Sequence, residues 1–267
     1  IGGDNFPFQR INGAQTQKGA VGSRACCLFM DAIVFVGSGR NEQVSVYIGA
    51  NGQTQRIATR EIDKKLAELT AAQLADVIVE ARVGEGFSTL YVHLPTVTLA
   101  YDAAASAALS QPVWYYLTTS IDGIGAYRAR SHVWCYGKWL VGDPSSASHG
   151  YLSDTLSTHY GAMTGWKFET SIMYNEGRKV SVHELELVVI NGRTSGSPVV
   201  WTSYSDDGVT WSMEHQRPAG QIGQRTRRLS WLRQGLINNW RVQRFRGTSD
   251  AHVSVSRLEA RLEPLNV

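Results

Sequence analysis

The sequence predicts an all-β protein in which β-propeller blades with a small helical insertion are followed by a C-terminal β-sandwich. Glycine is frequent, tryptophan and tyrosine are plentiful, and Val, Thr and Ser recur in short runs, a composition typical of brief strands joined by tight turns. Weakly repeated blocks occupy the first part of the chain, and longer alternating strands occupy the second. With 267 residues the chain exceeds a modal domain, so we predict a propeller part at 1–156 and a sandwich domain at 157–267.

The propeller prediction rests on blocks of about 35 to 45 residues between residues 20 and 155, each with an apolar strand, a turn and an aromatic strand. In the first block Asn51-Gly52 closes a hairpin, because Asn-Gly is the strongest short-range hairpin signal. The predicted strands of the three blocks are 32–36, 44–48 and 54–58, then 89–94, 96–101 and 113–117, then 126–134, 139–143 and 150–152.

A helical insertion is predicted at about 59–81, between the first two blocks. Six apolar residues recur there at helical spacing, namely Ile62, Leu66, Leu69, Leu74, Val77 and Ile78. Thr70 is followed three residues later by Gln73, which is a capping box and predicts that a second short helix begins there. Such helices either pack against a neighbouring subunit or cover exposed blade edges, and the sequence leaves both readings open.

Longer alternating strands after residue 157 predict the sandwich. They are 166–173, 180–190, 199–205, 225–233, 240–246 and 251–263. In the second of these strands the alternation groups His183 with Leu185 and Leu187, so we predict that His183 is a half-buried structural residue rather than a ligand.

An arginine-rich stretch at 217–249 carries eight arginines with no lysine, aspartate or glutamate. It follows a tight-turn signature, so we expect it on a strand framework that forms a fixed docking surface. The planar guanidinium pairs bidentately with carboxylates or phosphates and stacks on aromatic rings. A solvated strand face with tryptophans in the core is the alternative. The candidate interface residues are Arg225, Arg227, Arg228, Arg233, Arg241, Arg244, Arg246, Trp231 and Trp240.

The turn before this stretch matches the Asp-box, a hairpin turn that recurs in sialidases and other propellers, at Asp206, Gly208, Thr210 and Trp211. One copy is present, and Tyr204 stands where the motif has serine. We expect a structural role, with Asp206 accepting hydrogen bonds from turn amides, Gly208 at positive φ and Trp211 beneath the hairpin.

Sequence signatures of catalysis are absent: there is no G-x-S-x-G elbow, no P-loop and no H-E-x-x-H. The seven histidines are scattered, and Cys26, Cys27 and Cys135 suggest neither a disulfide framework nor a zinc site. We therefore predict no enzyme activity, no cofactor and no metal. No apolar run reaches the roughly 20 residues that cross a bilayer, so no membrane anchor is expected. The turn-like start at Ile1 suggests that an N-terminal portion is missing or was removed.

The order of several short segments resembles the packaged-DNA stabilisation or tail-hub proteins of short-tailed bacteriophages. The segments are 56–62, 91–95, 99–102, Trp114, 141–143, the Asp206-Asp207-Gly208 turn, the basic strands and 256–259. The likeness covers most of the chain, and family members carry a further N-terminal segment with more blades.

The resemblance implies a structural virion protein of the phage tail, made in the bacterial host cytoplasm. It implies a homo-oligomeric ring, of about six copies, that closes the portal channel, stabilises packaged DNA and connects the portal adaptor to the tail needle and the tailspikes or fibres. Non-specific contact of the arginines with packaged DNA is a further use. A carbohydrate-binding β-protein with an Asp-box-like turn is the alternative function.

Overall fold

The computed structural model describes residues 15–153, 155–193, 196–248 and 253–265. The turn expected at the start of the chain and part of the strand predicted at 251–263 lie outside these residues. Two compact units are present: the first holds residues up to 118 together with 123–152, and the second holds 119–122 and the residues from 153 onward. Among the described residues, three short helices accompany 21 strands, so the all-β prediction is confirmed.

The first sheet of the first unit is an antiparallel meander. Its strands are β1 (Gly19–Ala20), β2 (Cys26–Phe29), β3 (Ala32–Ser38), β4 (Ser45–Ala50) and β5 (Gln53–Arg56). Both β1 and β2 pair with β3, which continues to β4 and β5. The strands predicted at 32–36 and 44–48 are present and pair with each other, with Val34 opposite Ile48. Asn51 and Gly52 turn the chain with φ angles of 51° and 80°, which is the left-handed conformation that such hairpins need.

Two helices follow this sheet, as predicted: α1 (Arg60–Ala67) and α2 (Ala71–Ala75). The Thr70 side chain accepts a hydrogen bond from the Gln73 backbone N–H, and the Gln73 side chain accepts one from the Thr70 N–H, so the capping box is confirmed. Ile62 and Leu66 of α1 are buried in the aliphatic core of the first unit with residues such as Val34. The helices thus complete the core of their own unit.

Two further antiparallel meanders complete the first unit. The second sheet holds β6 (Ile78–Gly84), β7 (Phe87–His93), β8 (Thr98–Asp102) and β9 (Val113–Leu117), and α3 (Ala103–Leu109) lies between its last two strands. The third sheet holds β10 (Arg130–Cys135), β11 (Lys138–Gly142) and β12 (His149–Tyr151). Meanders of about four strands are typical of propeller blades. The sequence prediction had no helix at α3.

The second unit contains two sheets. Its strands are β13 (Gly165–Glu169), β14 (Met173–Tyr174), β15 (Val180–Ile190), β16 (Val199–Ser205), β17 (His215–Pro218), β18 (Leu229–Leu232), β19 (Leu236–Ile237), β20 (Trp240–Thr248) and β21 (Ser254–Pro264). One sheet runs β13, β20, β16, β17, with β14 also paired to β20. In the other, β15 pairs with β21 along its length and with β18 and β19.

The two sheets of the second unit bury a shared apolar core. Leu187 and Trp231 come from one sheet and Val200 and Phe245 from the other, and all four are buried in one cluster. The Trp231 and Phe245 ring centroids are 5.6 Å apart. Because each sheet contributes one face to this cluster, the second unit is a β-sandwich.

Two sequence expectations for this unit need correction. The strand predicted at 225–233 begins only at Leu229, so Arg225, Arg227 and Arg228 precede the strand. The alternation predicted for β15 breaks at His183, because a register irregularity lies between Val182 and Glu184. The extra residue of a bulge switches the faces of a strand, so His183 is exposed and its Nε2 lies 2.6 Å from a Glu263 oxygen.

No helix within the described ranges is both long and apolar enough to cross a membrane.

Candidate assembly surface

Two arginines of the candidate interface, Arg244 and Arg246, lie on the outward face of β20. Arg244 Nε donates to Glu169 at 2.9 Å, and Arg246 Nε donates to Glu214 at 2.6 Å. Their guanidinium carbons also lie 3.3 Å and 4.5 Å from the ring centroids of two tryptophans, Trp211 and Trp201. Hydrogen bonding from Arg246 lowers the pKa of Glu214. Both arginines are therefore engaged within the chain, although the stretch that contains them has no acid.

Arg241 is a structural arginine of the sandwich core. Its side chain is 1% exposed, and its Nη1 and Nη2 donate to the carbonyl oxygens of Gln234 and Leu236, each at 2.7 Å. Its Nε donates to Asp206 at 3.3 Å. These carbonyls belong to the segment around β19 of the opposite sheet, so Arg241 links the two sheets. Arg241 and Trp231 are both buried and cannot contact a partner chain. Both are therefore removed from the candidate interface residues.

Arg228 and Trp240 each make contacts within the chain but remain at least partly exposed. Arg228 Nε donates to Glu186 at 2.8 Å, and this hydrogen bond lowers the pKa of Glu186. The guanidinium of Arg228 is nevertheless exposed. Trp240 is half-buried, and a Cβ built on Gly208 would lie 3.7 Å from its ring, so Trp240 packs beside the tight turn.

The remaining arginines of the candidate interface, Arg225, Arg227 and Arg233, are exposed. In the described ranges no carboxylate lies within ion-pair distance of any of them. Two of them stand in residues 219–228, which we call the arginine loop. Buried Asn191 at the end of β15 donates from Nδ2 to the carbonyl oxygens of Ala219 at 2.7 Å and Arg227 at 3.0 Å. One amide thereby ties both ends of the arginine loop to the sandwich.

A shallow cavity of about 460 Å³ lies beside the arginine loop. Its walls include Arg193 and Arg225 together with Ile190 and Ile222. Ile222 is 68% exposed, and Arg193 is exposed as well. Guanidinium groups beside an uncovered aliphatic side chain form the mixture that recurs in protein–protein contacts.

In the tight turn before the arginine stretch, Asp207 does what the sequence assigned to Asp206. Asp207 Oδ1 accepts hydrogen bonds from the backbone N–H groups of Val209 at 2.8 Å and Thr210 at 2.7 Å. The Thr210 hydroxyl donates to Oδ2, and this hydrogen bond, followed by those of the amides, lowers the pKa of Asp207. Gly208 has a φ of 76°. Asp206 points to Arg241 instead.

The third sheet carries an exposed row of apolar side chains that was not predicted from the sequence. Val133 stands opposite Leu140, and Leu140 stands opposite Tyr151, so the three side chains share one face of the sheet. Their exposed fractions are 56%, 37% and 54%. We call these three residues the apolar row. The alternating apolar residues of these strands are visible in the sequence, but a single sequence does not show which face of a sheet is covered by another part of the chain.

A buried cluster of Glu80, His93 and His132 lies where β6, β7 and β10 meet in the first unit. Each side chain offers an oxygen or nitrogen atom, and the three atoms lie within 4.8 Å of one another. Burial would raise the pKa of Glu80, but the imidazoles of His132 and His93 outweigh burial, so its pKa lies well below the usual range. Burial lowers the pKa of His93. Local histidine spacing gives no sign of this cluster, because its members come from three separate strands.

Together these features define a two-part all-β protein made of propeller-like blades and a sandwich, with arginines and apolar side chains presented on strands and loops. The chain belongs to the bacteriophage P22 Gp10 family: residues 1–157 match the model described as its β-propeller, and 165–263 match the one described as its β-sandwich. The predicted family and both fold types are thereby confirmed.

A curated relative is the tail hub protein gp10 of Salmonella phage P22. It is 26% identical over 248 residues, which are 92% of this chain and 51% of the relative. The chain thus spans about half the length of that relative. Two solved structures of an exo-β-1,3-galactanase from Phanerochaete chrysosporium align with TM-scores of 0.21 and 0.22 and identities of 9% and 8%, each covering 86% of this chain and 65% of the galactanase chain. TM-scores this low carry no argument.

Proposed function

We propose that the chain is a non-catalytic structural part of a phage tail hub, located in the virion tail and made in the host cytoplasm. Both parts of the chain match the P22 Gp10 family, and the curated relative is named as a tail hub protein. In this role the chain assembles into a ring that closes the portal channel and stabilises packaged DNA. The ring also connects the portal adaptor to the tail needle and fibres.

The arginine loop is the observation that carries the assembly part of this proposal. Arg225 and Arg227 are exposed without a carboxylate partner in the described residues, whereas Arg228, Arg244 and Arg246 are paired within the chain. Because Asn191 holds the loop, little conformational entropy is lost when a partner binds it. An acidic protein surface is the partner that this arrangement fits.

The test removes both exposed charges in the double variant Arg225→Ala/Arg227→Ala. We expect the chain to keep its Tm, since surface substitutions usually change stability by less than about 0.5 kcal/mol, while incorporation into phage particles falls at least about tenfold, which corresponds to about 1.4 kcal/mol. Incorporation is measured by immunoblotting of purified particles after complementation. The control Arg178→Ala/Lys179→Ala removes the same charge from exposed positions of the same unit.

Four outcomes are informative. Loss of incorporation in the loop variant alone supports the docking surface. Equal incorporation of loop variant, control and parent chain would remove the arginine loop from the proposal, and equal loss in both variants would show a general charge effect. Binding of the parent chain to duplex DNA, with a steep salt dependence that the loop variant loses, would move the loop from protein contact to phosphate contact.

The carbohydrate-binding alternative loses support from the geometry of Trp211. Sugar stacking needs an open ring face; Arg244 covers one face of Trp211 at 3.3 Å, and the residue as a whole is only partly exposed. A glycan array of the parent chain and of Trp211→Ala is therefore expected to be flat for both.

A further inference from the structure

We propose that Glu80, His93 and His132 bind one divalent transition-metal ion, of the zinc or cobalt type, that joins the second and third sheets of the first unit. Two imidazoles and one carboxylate suit such ions, whereas magnesium and calcium prefer oxygen ligands alone. Glu80 belongs to β6, His93 to β7 and His132 to β10. The proposal is independent of the tail-hub role.

The strongest observation is the unsatisfied nitrogen of His93. This residue is 1% exposed, and its Nε2 has no hydrogen-bond partner in the described residues. The nearest carboxylate oxygen, Glu80 Oε2, is 3.7 Å away, which is too far for a hydrogen bond. Two ligand atoms that share a tetrahedral ion at bonds of about 2.1 Å stand about 3.4 Å apart. The separation thus suits two ligands of one ion better than a direct contact.

The surroundings of His93 orient the ring for this role. Its Nδ1 lies 3.2 Å from Thr98 Oγ1, which also accepts a hydrogen bond from the Tyr127 backbone N–H at 3.2 Å. A proton on Nδ1 that is donated to Thr98 leaves the Nε2 lone pair facing Glu80. Metal-binding histidines commonly donate their other ring N–H in this way, which fixes the tautomer and the ring orientation.

His132 supplies the third ligand from a different sheet. Its Nδ1 is 2.7 Å from Glu80 Oε2, so the two atoms must separate by about 0.7 Å to share an ion. The ring is stacked on Tyr91, with centroids 4.6 Å apart and planes at 7°. The backbone N–H groups of Ser131 and His132 also donate to Glu80, at 2.8 Å and 3.2 Å, which holds the carboxylate in place.

Of the three ligands, His93 lies in the wall of a cavity of about 480 Å³ that also borders Arg130, Ser131 and His149, whereas the side chains of His93 and His132 are themselves fully buried. A zinc-type ion with three protein ligands takes water as its fourth ligand. The positive charge of Arg130 opposes a cation here. We therefore expect weaker binding than in zinc sites with four protein ligands.

The experiment uses the untagged chain after removal of bound metal with EDTA. Co(II) titration is expected to give visible d–d absorption that saturates at about one equivalent and disappears when Zn(II) is added. Zn(II) at a hundredfold excess over its Kd is expected to raise the Tm by about 5 °C. His93→Gln should lose both effects, and the control His149→Ala, at an exposed residue of the same cavity wall, should keep both.

A second measurement uses only the parent chain and therefore does not depend on whether the variants fold. In the parent chain, long-range ¹H–¹⁵N correlation spectra of the imidazoles should show Zn(II) shifting two of the seven histidines. Sub-stoichiometric cobalt binding, binding that survives in folded His93→Gln, or zinc shifts at other histidines would each overturn the proposal.

Discussion

At the scale of single residues, burial separates two kinds of arginine that look alike in the sequence. Arg241 lies within the sandwich, with two carbonyl oxygens and a carboxylate as acceptors. Arg225 and Arg227 lie on the surface without such acceptors in the described residues. Breaking the contacts of a buried, hydrogen-bonded charge costs several kcal/mol, so Arg241 contributes to stability. The exposed Arg225 and Arg227 are available for binding.

This difference predicts opposite stability effects for two arginines on the same strand. Arg241→Met is expected to lower the free energy of unfolding by about 3 kcal/mol, because it leaves the carbonyl oxygens of Gln234 and Leu236 without donors. The matched variant Arg244→Met is expected to cost less than about 1 kcal/mol, since its pair with Glu169 is more exposed. Urea unfolding of both variants measures the values. Equal losses would contradict the assignment of Arg241 to the core.

The partners of these arginines could not be read from the sequence. Glu214 and Glu186 are 32 and 42 residues away from Arg246 and Arg228, and Glu169 is 75 residues away from Arg244. An acid-free stretch therefore shows which cations need partners, but strand pairing decides which of them receive partners inside the chain. The cluster around Glu80 was missed for the same reason, since its members come from three strands.

At the scale of elements, the sequence predicts those features that neighbouring residues determine. The capping box of α2, the Asn51-Gly52 hairpin and the bounds of β15 and β16 follow from neighbouring residues. The helix α3 also had such a signal, because alanine is the best helix former and Asp102 caps its N-terminus by accepting from the Ala105 N–H at 2.9 Å. The bulge at His183 had none, since it depends on pairing with β21.

The apolar row yields a prediction at this scale. We expect that Val133→Thr/Tyr151→Thr keeps the Tm of the isolated chain, because both side chains are exposed and threonine suits strands. Under the tail-hub proposal, incorporation into particles should fall, because exposed apolar surface that a partner would cover becomes polar. The control Ile172→Thr/Met213→Thr changes two exposed apolar residues elsewhere. Equal incorporation of both double variants would show that the row is not an assembly contact.

At the scale of the whole molecule, the architecture was predictable because hydrophobic patterning and turn residues determine strand number and order. The change from short meanders to longer alternating strands indicated two parts, and the family models confirm a propeller and a sandwich. Patterning does not predict which exposed faces meet other chains. That information depends on surfaces assembled from distant segments, such as the arginine loop and Asn191.

The charge of the arginine loop constrains how copies of the chain can assemble. A symmetric contact of one loop with its own copy would bring like charges together, so the partner surface must be a different one. Contacts between different surfaces form a closed ring when the rotation closes. The resemblance to tail-hub proteins implies about six copies, so we expect a low, fixed copy number in purified phage particles, measured by mass spectrometry with isotope-labelled peptide standards. Absence from particles, or hundreds of copies as for a shell protein, would contradict the tail-hub role.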